Sequence, residues 1–573
     1  MSMHVVVIGA VALGPKAASR FKRLMPEGKA TLIDRSDRIS YGGCGIPFFV
    51  SGDINRVEDL QATPYGTIRD ADFFRKAKSV DVLTRTEVTA IDRTAKRVSI
   101  KNLVTGTEET LSYDKLVIGT GASPFIPPIP GADLEGVTPA TNLDQAEAIK
   151  NALAKGMAES AVVLGGGFIG LEMAVALADM WDIPTTVVEL KDSLLPGFLS
   201  PALARIVRRD LEDHGVTVLT GETAREFKGK NGDVNEVLTD KRSIQADLVI
   251  LAAGLRPNTE LAEAAGLALT ERRLILVDEY MRTSDPDIYA GGDCVAITNQ
   301  VTGKPFWLPL GSMANRQGRV IGTNLAGGDA RFPGAAGAWG VKLFEESAAG
   351  VGLTLDAALS AGFDAESVHV EQVDRAHYYP EHAMMSLEAV VERATGRVLG
   401  VQGVCPNGDT LVARINAAAP LVAMHGGIED LGNLEIVYSP PFSSAMDVIN
   451  VLGNAAENTL ARRSRTLAAQ EFRSMWDDRA SGKVAFLDAR AEADAAPYKA
   501  AFPEDWMNIP QDQIRDRYDE VPTNKPLVVV CNTGLRAFEA QRVLDALGHP
   551  DHRSVAGGLV GLNRMGLGIL PKK

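Results

Sequence analysis

The chain has little cysteine and no excess of positive charge. Its 573 residues include four cysteines, at positions 44, 294, 405 and 531, and no two of them have C-x-x-C spacing. This excludes a disulfide-stapled scaffold and predicts no metal site, and it favours a reducing, cytoplasmic location. With 59 Lys and Arg against 73 Asp and Glu, the net charge is -14. Nucleic acid is therefore disfavoured as a partner, because its phosphates need a basic face, and small molecules are expected instead.

The sequence also lacks an uninterrupted apolar run that would span a membrane. The longest apolar stretch, residues 161–180, contains four glycines and Glu172, which favours a buried strand, turn and helix. The first ten residues have no basic segment, so we do not expect a secretory signal. At roughly 100 to 200 residues per domain, the length predicts about three to five domains.

Two segments have the pattern of a strand, a glycine-rich turn, a helix and a second strand that ends in an acidic residue. The first has strands 4–8 and 30–33, the turn GAVALG at 9–14, and Asp34. The second has strands 161–164 and 185–188, the turn GGGFIG at 165–170, and Glu189. The acidic residues follow the last glycines by 34−14=20 and 189−170=19 positions, the spacing at which a carboxylate reaches a ribose hydroxyl. Both segments are thus predicted to bind dinucleotides, although Val11 replaces the middle glycine of the first turn.

Three further motifs occur in order: LVIGTGASP at 116–124, LVILAAGLRP at 248–257 and DIYAGGD at 287–293. With the two glycine turns, they make residues 1 to about 455 resemble the flavoprotein disulfide reductases that bind two dinucleotides. The resemblance implies an α/β fold with two Rossmann-like domains and an α+β dimerisation domain. An FAD domain would comprise residues 1–150 and 286–330, an NAD(H) domain residues 151–285, and the dimerisation domain residues 331–455.

The same resemblance implies the cofactor contacts. Those expected for FAD are Gly9, Ala10, Val11, Ala12, Gly14, Asp34, Arg35, Ser40, Val88, Thr120, Gly121, Asp293 and Ala314. Those expected for NADH are Gly165, Gly167, Gly170, Glu189 and Gly254. We expect NADH to be preferred over NADPH, because the Glu189 carboxylate would accept from a 2'-hydroxyl and repel a 2'-phosphate.

Cys44 lies in the segment SYGGCGIP at 40–47. Many members of the superfamily have C-x4-C here, but this chain has Phe49 in place of the second cysteine. One thiol cannot form an internal disulfide, so Cys44 must cycle as a mixed disulfide with a small thiol, as a persulfide or as a sulfenic acid. A following helix N-terminus and a nearby flavin would lower its thiol pKa. Cys294 and Cys405 have no such surroundings and are expected to be structural.

The segment around Cys44 resembles that of the coenzyme A disulfide reductase and NADH-dependent persulfide reductase family. Further matches are ANRQGR at 314–319, HYYP at 377–380 and YSPPFSSA at 438–445. The resemblance implies a homodimer in which catalytic tyrosines, Tyr438 and either Tyr378 or Tyr379 (we chose Tyr379), lie near Cys44 of the partner. It also implies that Lys16, Arg20 and Arg23 hold coenzyme A phosphates. The alternatives are interface packing for the tyrosines and a solvated helix face for the basic residues. Gly43 and Met446 replace an Asn and a Lys of the family pattern, which weakens the assignment of coenzyme A.

The last part of the chain, residues 466–573, has its own strand and helix pattern. Its landmarks are D-x-R at 488–490, NIP at 508–510, CNTGLR at 531–536 and a glycine pair at 557–558, and they resemble an α/β rhodanese domain. The resemblance implies that loop N–H groups surround Cys531 and that Arg536 helps to hold an anion. Such a nest stabilises a thiolate or a persulfide anion. A rhodanese fold with a silent site is the alternative, and a linker is expected near residues 455–464.

These inferences predict one enzyme with two reactive sulfurs. NADH and FAD would reduce a persulfide, polysulfide or disulfide of a small thiol at Cys44, and Cys531 would relay sulfane sulfur. One alternative is an NADH oxidase or peroxidase that uses Cys44 as a sulfenic acid. A second alternative is a non-catalytic sulfur carrier or redox sensor.

Overall fold

The computed structural model describes residues 3–570. The elements up to residue 160 are β1 (His4–Ile8), α1 (Leu13–Leu24), β2 (Lys29–Ile33), α2 (Ile46–Ser51), α3 (Ala71–Lys78), β3 (Asp81–Leu83), β4 (Thr86–Asp92), β5 (Arg97–Asn102), β6 (Glu108–Ser112), β7 (Lys115–Ile118), β8 (Ala122–Pro124), β9 (Val137–Thr138) and α4 (Leu143–Ala154). Those from 161 to 335 are β10 (Ala161–Leu164), α5 (Phe168–Asp179), β11 (Thr185–Glu189), α6 (Pro201–Asp213), β12 (Thr217–Thr220), β13 (Ala224–Lys230), β14 (Asp233–Thr239), β15 (Ser243–Gln245), β16 (Leu248–Leu251), β17 (Leu255–Pro257), α7 (Glu260–Ala264), β18 (Ile275–Leu276), β19 (Ile288–Ala290), β20 (Val295–Thr298), β21 (Pro305–Phe306) and α8 (Gly311–Leu325).

The remaining elements lie between residues 336 and 570. They are β22 (Trp339–Lys342), β23 (Ser347–Gly352), α9 (Leu355–Ala361), β24 (Ala365–Val373), β25 (Met384–Glu392), β26 (Val398–Cys405), α10 (Gly408–Ala423), α11 (Ile428–Gly432), α12 (Val448–Leu460), β27 (Thr466–Leu467), α13 (Ala469–Asp477), β28 (Ala485–Asp488), α14 (Glu492–Ala501), β29 (Trp506–Asn508), β30 (Leu527–Val530), α15 (Leu535–Ala546), β31 (His552–Val555) and α16 (Gly558–Arg564). Short 3-10 turns occur at Gly43–Gly45, Val57–Leu60, Arg479–Ser481, Gln511–Gln513 and Tyr518–Glu520.

A parallel sheet with the strand order β19-β7-β1-β2-β3 contains the first predicted dinucleotide segment. Val5, Val6 and Val7 of β1 are fully buried, as expected for a parallel strand that is covered on both faces. Strand β19, which is distant in sequence, pairs with β7. The chain after residue 286 therefore returns to the sheet that begins at His4.

A second parallel sheet contains the other predicted dinucleotide segment. Its strands include β11, β10, β16 and β9 in that order, and Val162 and Val163 in β10 are fully buried. In the first sheet, β1 lies between β2, which leads to Asp34, and β7. In the second sheet, β10 lies between β11, which ends at Glu189, and β16. Strands β7 and β16 belong to the later motifs at 116–124 and 248–257. Because parallel strands end at the same edge, the turn, the acidic residue and the later motif lie close together in each sheet.

The segment from residue 336 to residue 460 forms an antiparallel sheet of order β22-β23-β26-β25-β24. Every residue of β26 is buried. Arg414 of α10 forms a buried ion pair with Asp447, the residue that caps the N-terminus of α12, with Nη2 to Oδ2 at 2.6 Å. Helix α12 continues to Leu460. The linker expected at 455–464 is therefore mostly helical, because Ala456 and Thr459 have buried positions on this helix.

The last 105 or so residues that the structure describes form a parallel sheet of order β27-β31-β30-β28-β29. Trp476, Phe486 and Trp506 pack edge to face beside it, with ring centroids 4.9 to 5.4 Å apart. The predicted fold class is thus confirmed: two Rossmann-like sheets, an α+β domain and a C-terminal α/β domain. Within residues 3–570, no helix is both long enough and apolar enough to cross a membrane.

Candidate functional site

The first glycine turn joins β1 to α1 and brings two backbone segments into contact. Gly9 has φ +97°, and a Cβ atom there would lie 2.1 Å from the carbonyl oxygen of Gly119, so a larger residue would force the segments apart. A Cβ atom on Gly14 would lie 2.0 Å from the Gly9 oxygen. The Asp34 carboxylate accepts a hydrogen bond from the Ala10 N–H at 2.6 Å. The acidic residue of the motif therefore lies at the turn, as its spacing indicates.

Other residues predicted to contact FAD lie in or beside this turn. Val11 and Ala12 belong to the turn itself, and Val11 is 36% exposed. Ser40 donates its backbone N–H to a carbonyl oxygen of the turn at 2.7 Å. Arg35 is exposed, whereas Val88 is buried in β4. The Val88 side chain packs into the hydrophobic core of this domain, as do Ala10 and Ala314 of the predicted set.

The motif at 287–293 ends in a partly buried carboxylate. Burial raises the pKa of Asp293 to about 6, and the N–H that precedes it donates to Gln317 Oε1 at 2.7 Å. Ala314, a predicted contact, is buried on the same helix as Gln317. Thr120 and Gly121 follow β7, and Gly121 has φ +67°. Sequence reasoning did not single out Gln317, which orders the backbone at the end of this motif.

The second glycine turn repeats the arrangement of the first. Gly165 has φ +113°, and a Cβ atom on Gly170 would lie 1.9 Å from the Gly165 oxygen. The Glu189 carboxylate accepts a hydrogen bond from the Gly166 N–H at 2.7 Å. Apart from Gly167 and its two chain neighbours, no described residue has an atom within 4 Å of a Cβ atom built there. The turn therefore leaves open space at the N-terminus of α5, which a pyrophosphate requires.

The chemistry of both turns matches a dinucleotide. Each combines a close glycine contact, a helix that begins directly after the turn and a carboxylate at the end of the adjacent strand. Gly254, predicted to contact NADH, has φ +109° and also adjoins open space among the described residues.

Cys44 is an exposed free thiol in a 3-10 turn, directly before α2. Partial desolvation by surrounding protein atoms raises the pKa of this thiol, and the carboxylates of Glu172 and Asp293 raise it further. We expected the opposite direction from the following helix. That helix has six residues, and desolvation, the largest cause, together with the two carboxylates raises the pKa instead.

Phe49 occupies the position of the missing second cysteine. Its ring is buried, and its face lies 4.1 Å from Lys150 Nζ. Lys150 also donates to the Phe49 carbonyl oxygen at 2.6 Å. The site of a second thiol is therefore filled by a packed aromatic ring, which leaves Cys44 without an internal partner.

Glu172 is a site residue that sequence reasoning missed. It lies on α5, and burial raises its pKa to about 7. In the sequence, Glu172 could have been noticed as an acidic residue near the start of a largely apolar helix. The charge of Glu172 raises the pKa of the Cys44 thiol. This residue therefore connects the second dinucleotide segment with the thiol electrostatically.

We predict that Glu172→Gln lowers the pKa of Cys44. The substitution removes a negative charge that opposes thiolate formation, so the pH profile of Cys44 alkylation by iodoacetamide should move to lower pH by about half a unit to one unit. Glu159→Gln, on the surface of the same region, is the matched control and should leave the profile in place. An unchanged or upward shift for Glu172→Gln would contradict the prediction.

Three basic residues follow one face of α1. Lys16 and Arg23 are exposed. Arg20 Nε donates to the Thr323 hydroxyl at 3.1 Å, and the stem of Lys16 packs over Gly318, where a Cβ atom would lie 3.0 Å away. The structure thus places Arg20 against α8 and leaves Lys16 and Arg23 available to a polyphosphate.

The predicted tyrosines lie on exposed segments of the α+β domain. Tyr378 and Tyr438 are 66% and 49% exposed, and their hydrogen bond raises the pKa of Tyr378. Tyr379 is half-buried, and its N–H donates to the Ala376 carbonyl oxygen at 2.9 Å. The structure therefore pairs Tyr438 with Tyr378, the alternative that we did not choose.

Cys531 lies at the end of β30 in a tight loop. Its sulfur accepts hydrogen bonds from the N–H groups of Gly534 at 3.1 Å and Ala537 at 3.4 Å. The loop closes on α15, and Gly534 has φ +114°. Arg536 is partly exposed and lies 3.9 Å from Asp494. The predicted nest of N–H groups is present, and Arg536 lies at the start of α15, the helix that follows the loop.

An ion pair supports this loop. Arg490 makes hydrogen bonds of 2.7 to 3.2 Å to both oxygens of Asp488, which is fully buried. The same guanidinium donates to Asn532 Oδ1 at 3.2 Å. The D-x-R landmark thus fixes the residue that follows Cys531.

Cys294 and Cys405 are both fully buried. Burial raises the thiol pKa of each, to about 12 for Cys405. Cys294 Sγ lies 3.3 Å from the Gly291 carbonyl oxygen. Their surroundings favour neutral, unreactive thiols.

The fold and these sites define a redox enzyme with two dinucleotide segments and a separate sulfur-handling domain, and family models match each part. Residues 3–318 match the pyridine nucleotide-disulphide oxidoreductase model, residues 340–448 match its dimerisation domain, and residues 470–564 match the rhodanese-like domain. The chain therefore belongs to the pyridine nucleotide-disulphide oxidoreductase family and carries a rhodanese domain. This confirms the predicted oxidoreductase class with FAD and a nicotinamide dinucleotide as cofactors, and the resemblance to the coenzyme A disulfide and persulfide reductases.

Three similar proteins illustrate what such chains do. A solved structure titled as a NAD-dependent persulfide reductase from A. fulgidus is 40% identical, with a TM-score of 0.91, and the match covers 98% of this chain and 100% of that one. A CoA-dependent NAD(P)H sulfur oxidoreductase from Pyrococcus abyssi is 36% identical over 78% of this chain and 97% of its own. An NADH oxidase from Methanocaldococcus jannaschii is 33% identical over 81% of this chain and 100% of its own.

Proposed function

We propose that this protein uses NADH and FAD to reduce a persulfide, polysulfide or disulfide of a small thiol, with coenzyme A as the favoured thiol. The observation that supports this most is the presence of two separate free thiols in different surroundings. Cys44 is exposed and has Phe49 in place of a second cysteine, whereas Cys531 lies in a nest of N–H groups. A reductase thiol and a sulfur-carrying thiol on one chain suit substrates that contain sulfane sulfur.

Cys44 makes and breaks the sulfur–sulfur bond. Its thiolate attacks the substrate sulfur of R–S–S–H, forms the disulfide Cys44–S–S–R and releases HS⁻. FAD, when bound, would supply the two electrons that split this disulfide, taken from NADH. Cys44 leaves as a thiolate and R–S⁻ takes up a proton. In sum, NADH, a proton and R–S–S–H give NAD⁺, R–SH and H2S.

Cys531 relays sulfane sulfur to the small thiol. Its thiolate takes the outer sulfur from a donor R'–S–S–H, forms Cys531–S–S⁻ and releases R'–SH. Attack by R–S⁻ on the outer sulfur then gives R–S–S⁻ and regenerates the Cys531 thiolate. The N–H groups of Gly534 and Ala537, with Arg536 nearby, would stabilise the persulfide anion.

The remaining assignments concern binding. We assign the first glycine turn, with Asp34, to FAD and the second, with Glu189, to NADH. Lys16 and Arg23 would hold coenzyme A phosphates, and Arg20, which donates to Thr323 through Nε, would add its charge to the same helix face. Tyr438, with Tyr378 or Tyr379, would reach Cys44 of the partner in a homodimer, in line with the dimerisation domain at residues 340–448.

Glu189→Gln should weaken the preference for NADH over NADPH. The carboxylate is an acceptor for a ribose hydroxyl and repels a phosphate. Its neutral isostere should therefore lower the ratio of kcat/KM for NADH to kcat/KM for NADPH by about tenfold to a hundredfold. Asp192→Asn, at an exposed neighbouring position, is the control and should change the ratio little. Steady-state oxidation of both nucleotides tests this, and an unchanged ratio would argue against the role of Glu189.

An NADH oxidase is the second candidate, because the M. jannaschii relative carries that name. The two functions are separated by NADH oxidation with dioxygen, coenzyme A disulfide and a persulfide as alternative oxidants for the FAD-loaded protein. We expect the persulfide to give the highest kcat/KM. Turnover with dioxygen alone would refute the proposed function.

A further inference from the structure

Helix α16 forms the back of the loop that carries Cys531. The N–H of Leu559 donates to the Cys531 carbonyl oxygen at 3.0 Å, and the N–H of Val560 donates to the Asn532 carbonyl oxygen at 2.9 Å. A Cβ atom on Gly558 would lie 2.5 Å from the Asn532 oxygen. Any movement of α16 would therefore move the backbone of the loop.

The other end of α16 carries a largely buried arginine, Arg564, that reaches the α+β domain. Arg564 Nη2 donates to both oxygens of Glu346 at 2.9 and 3.0 Å, and Arg564 Nη1 lies 3.3 Å from Glu371 Oε2 and also donates to the Ser386 hydroxyl. The Arg564 and Glu346 side chains are 13% and 14% exposed, and Glu371 is fully buried. Glu371 Oε1 also forms a hydrogen bond with His369 Nε2 at 3.1 Å.

The charges in this cluster depend on one another. Burial by itself would raise the pKa of Glu371, but the hydrogen bond and charge of His369, together with the charge of Arg564, bring it below its usual range. Removing one member of a buried, hydrogen-bonded charge cluster leaves the others unpaired at high cost. The cluster therefore holds Arg564, and with it α16, in one position.

Further contacts hold the same helix near both of its ends. Arg205 and Arg209 of α6 donate to the carbonyl oxygens of Met565 and Asn563, at the C-terminal end of α16. At the N-terminal end, a Cβ atom on Gly557 would lie 2.9 Å from the Glu371 side chain. The helix is thus attached at both ends to elements outside the rhodanese domain.

The connection between the domains is also ordered. After α12 ends at Leu460, the N–H groups of Arg463 and Ser464 both donate to the Asn458 carbonyl oxygen, at 2.8 and 3.0 Å. This leaves little free chain before β27, which begins at Thr466. Such a connection does not behave as a flexible tether.

We propose that Arg564 is a positioning residue for Cys531: by anchoring α16 to Glu346 and Glu371, it holds the sulfur-carrying loop at a fixed place on the α+β domain. The rhodanese domain then acts as a module that is docked on the α+β domain. This inference deepens the proposed function, since it concerns the site at which the relayed sulfur is held.

The test measures iodoacetamide alkylation of each cysteine by mass spectrometry in the full-length FAD-loaded protein. Cys531 is 1% exposed, so its alkylation requires local opening of the loop. Arg564→Met should raise the Cys531 rate by about fivefold or more, with Cys44 changed by less than about twofold. Arg517→Met removes an exposed ion pair with Glu520 in the same domain and should change neither rate. Arg564→Lys should restore part of the protection.

The outcomes separate this inference from general destabilisation and from the proposed function. A Cys531 rate for Arg564→Met that matches native protein, or an equal rise at Cys44, would overturn the positioning role. If Arg564→Met does not fold, Glu346→Gln keeps the shape of the cluster, weakens its charge and is judged by the same criteria. A failure of persulfides to oxidise NADH would refute the proposed function and leave the alkylation result unaffected.

Discussion

Replacing Cys44 with serine is expected to lower persulfide- and disulfide-dependent NADH oxidation by at least about a thousandfold. A serine hydroxyl is not ionised near neutral pH and does not form a sulfur–sulfur bond with the substrate. Phe49 occupies the position from which a second cysteine would act, and Cys294 and Cys405 are buried. No neighbouring thiol of the same redox motif would therefore take over the reaction.

The measurement is steady-state NADH oxidation at saturating persulfide, alongside the flavin absorbance of each purified variant. Native flavin content in Cys44→Ser shows that the loss concerns the sulfur chemistry. Cys405→Ala is the control, because it removes a thiol that the proposed steps do not use. Full activity of Cys44→Ser with either substrate would rule out the proposed mechanism.

Replacing Cys531 with serine is expected to divide the activities of the chain. Transfer of sulfane sulfur from a donor to a small thiol should fall by at least about a hundredfold, because the nest of N–H groups then surrounds an oxygen that carries no sulfur. Reduction of a preformed disulfide needs Cys44 alone and should stay within about twofold of native.

The comparison uses two assays on each variant: hydrosulfide release from a persulfide donor supplied with catalytic amounts of thiol, and NADH oxidation by the disulfide of the same thiol. Arg536→Lys provides a graded case, since it keeps a positive charge but loses the planar fork of donors. Equal losses in both assays for Cys531→Ser would show that the two modules do not have separate roles.

The sequence predicted most of what depends on local pattern. Strands β1 and β10 have the predicted bounds, and both glycine turns lie beside the acidic residues that their spacing indicated. These features follow from nearest neighbours along the chain: apolar runs, glycines and a fixed count to a carboxylate.

The sequence did not predict what depends on distant contacts. The Glu172 carboxylate, which adds to the raised pKa of Cys44, is 128 positions away (172−44). The pairing of Tyr438 with Tyr378 and the attachment of Arg564 to Glu346 also join remote segments. Such contacts have no periodicity or spacing in one sequence, so the folded arrangement is needed to find them.

The carboxylates of Asp34 and Glu189 each accept a backbone N–H of their own glycine turn, at 2.6 and 2.7 Å. Each acidic residue is thus part of the turn as well as the proposed contact for the nucleotide. A substitution at either residue that removes this acceptor would loosen its turn as well as change the proposed nucleotide contact. The proposed cofactor preference of this chain is consequently tied to the local stability of the turn, because one carboxylate serves both.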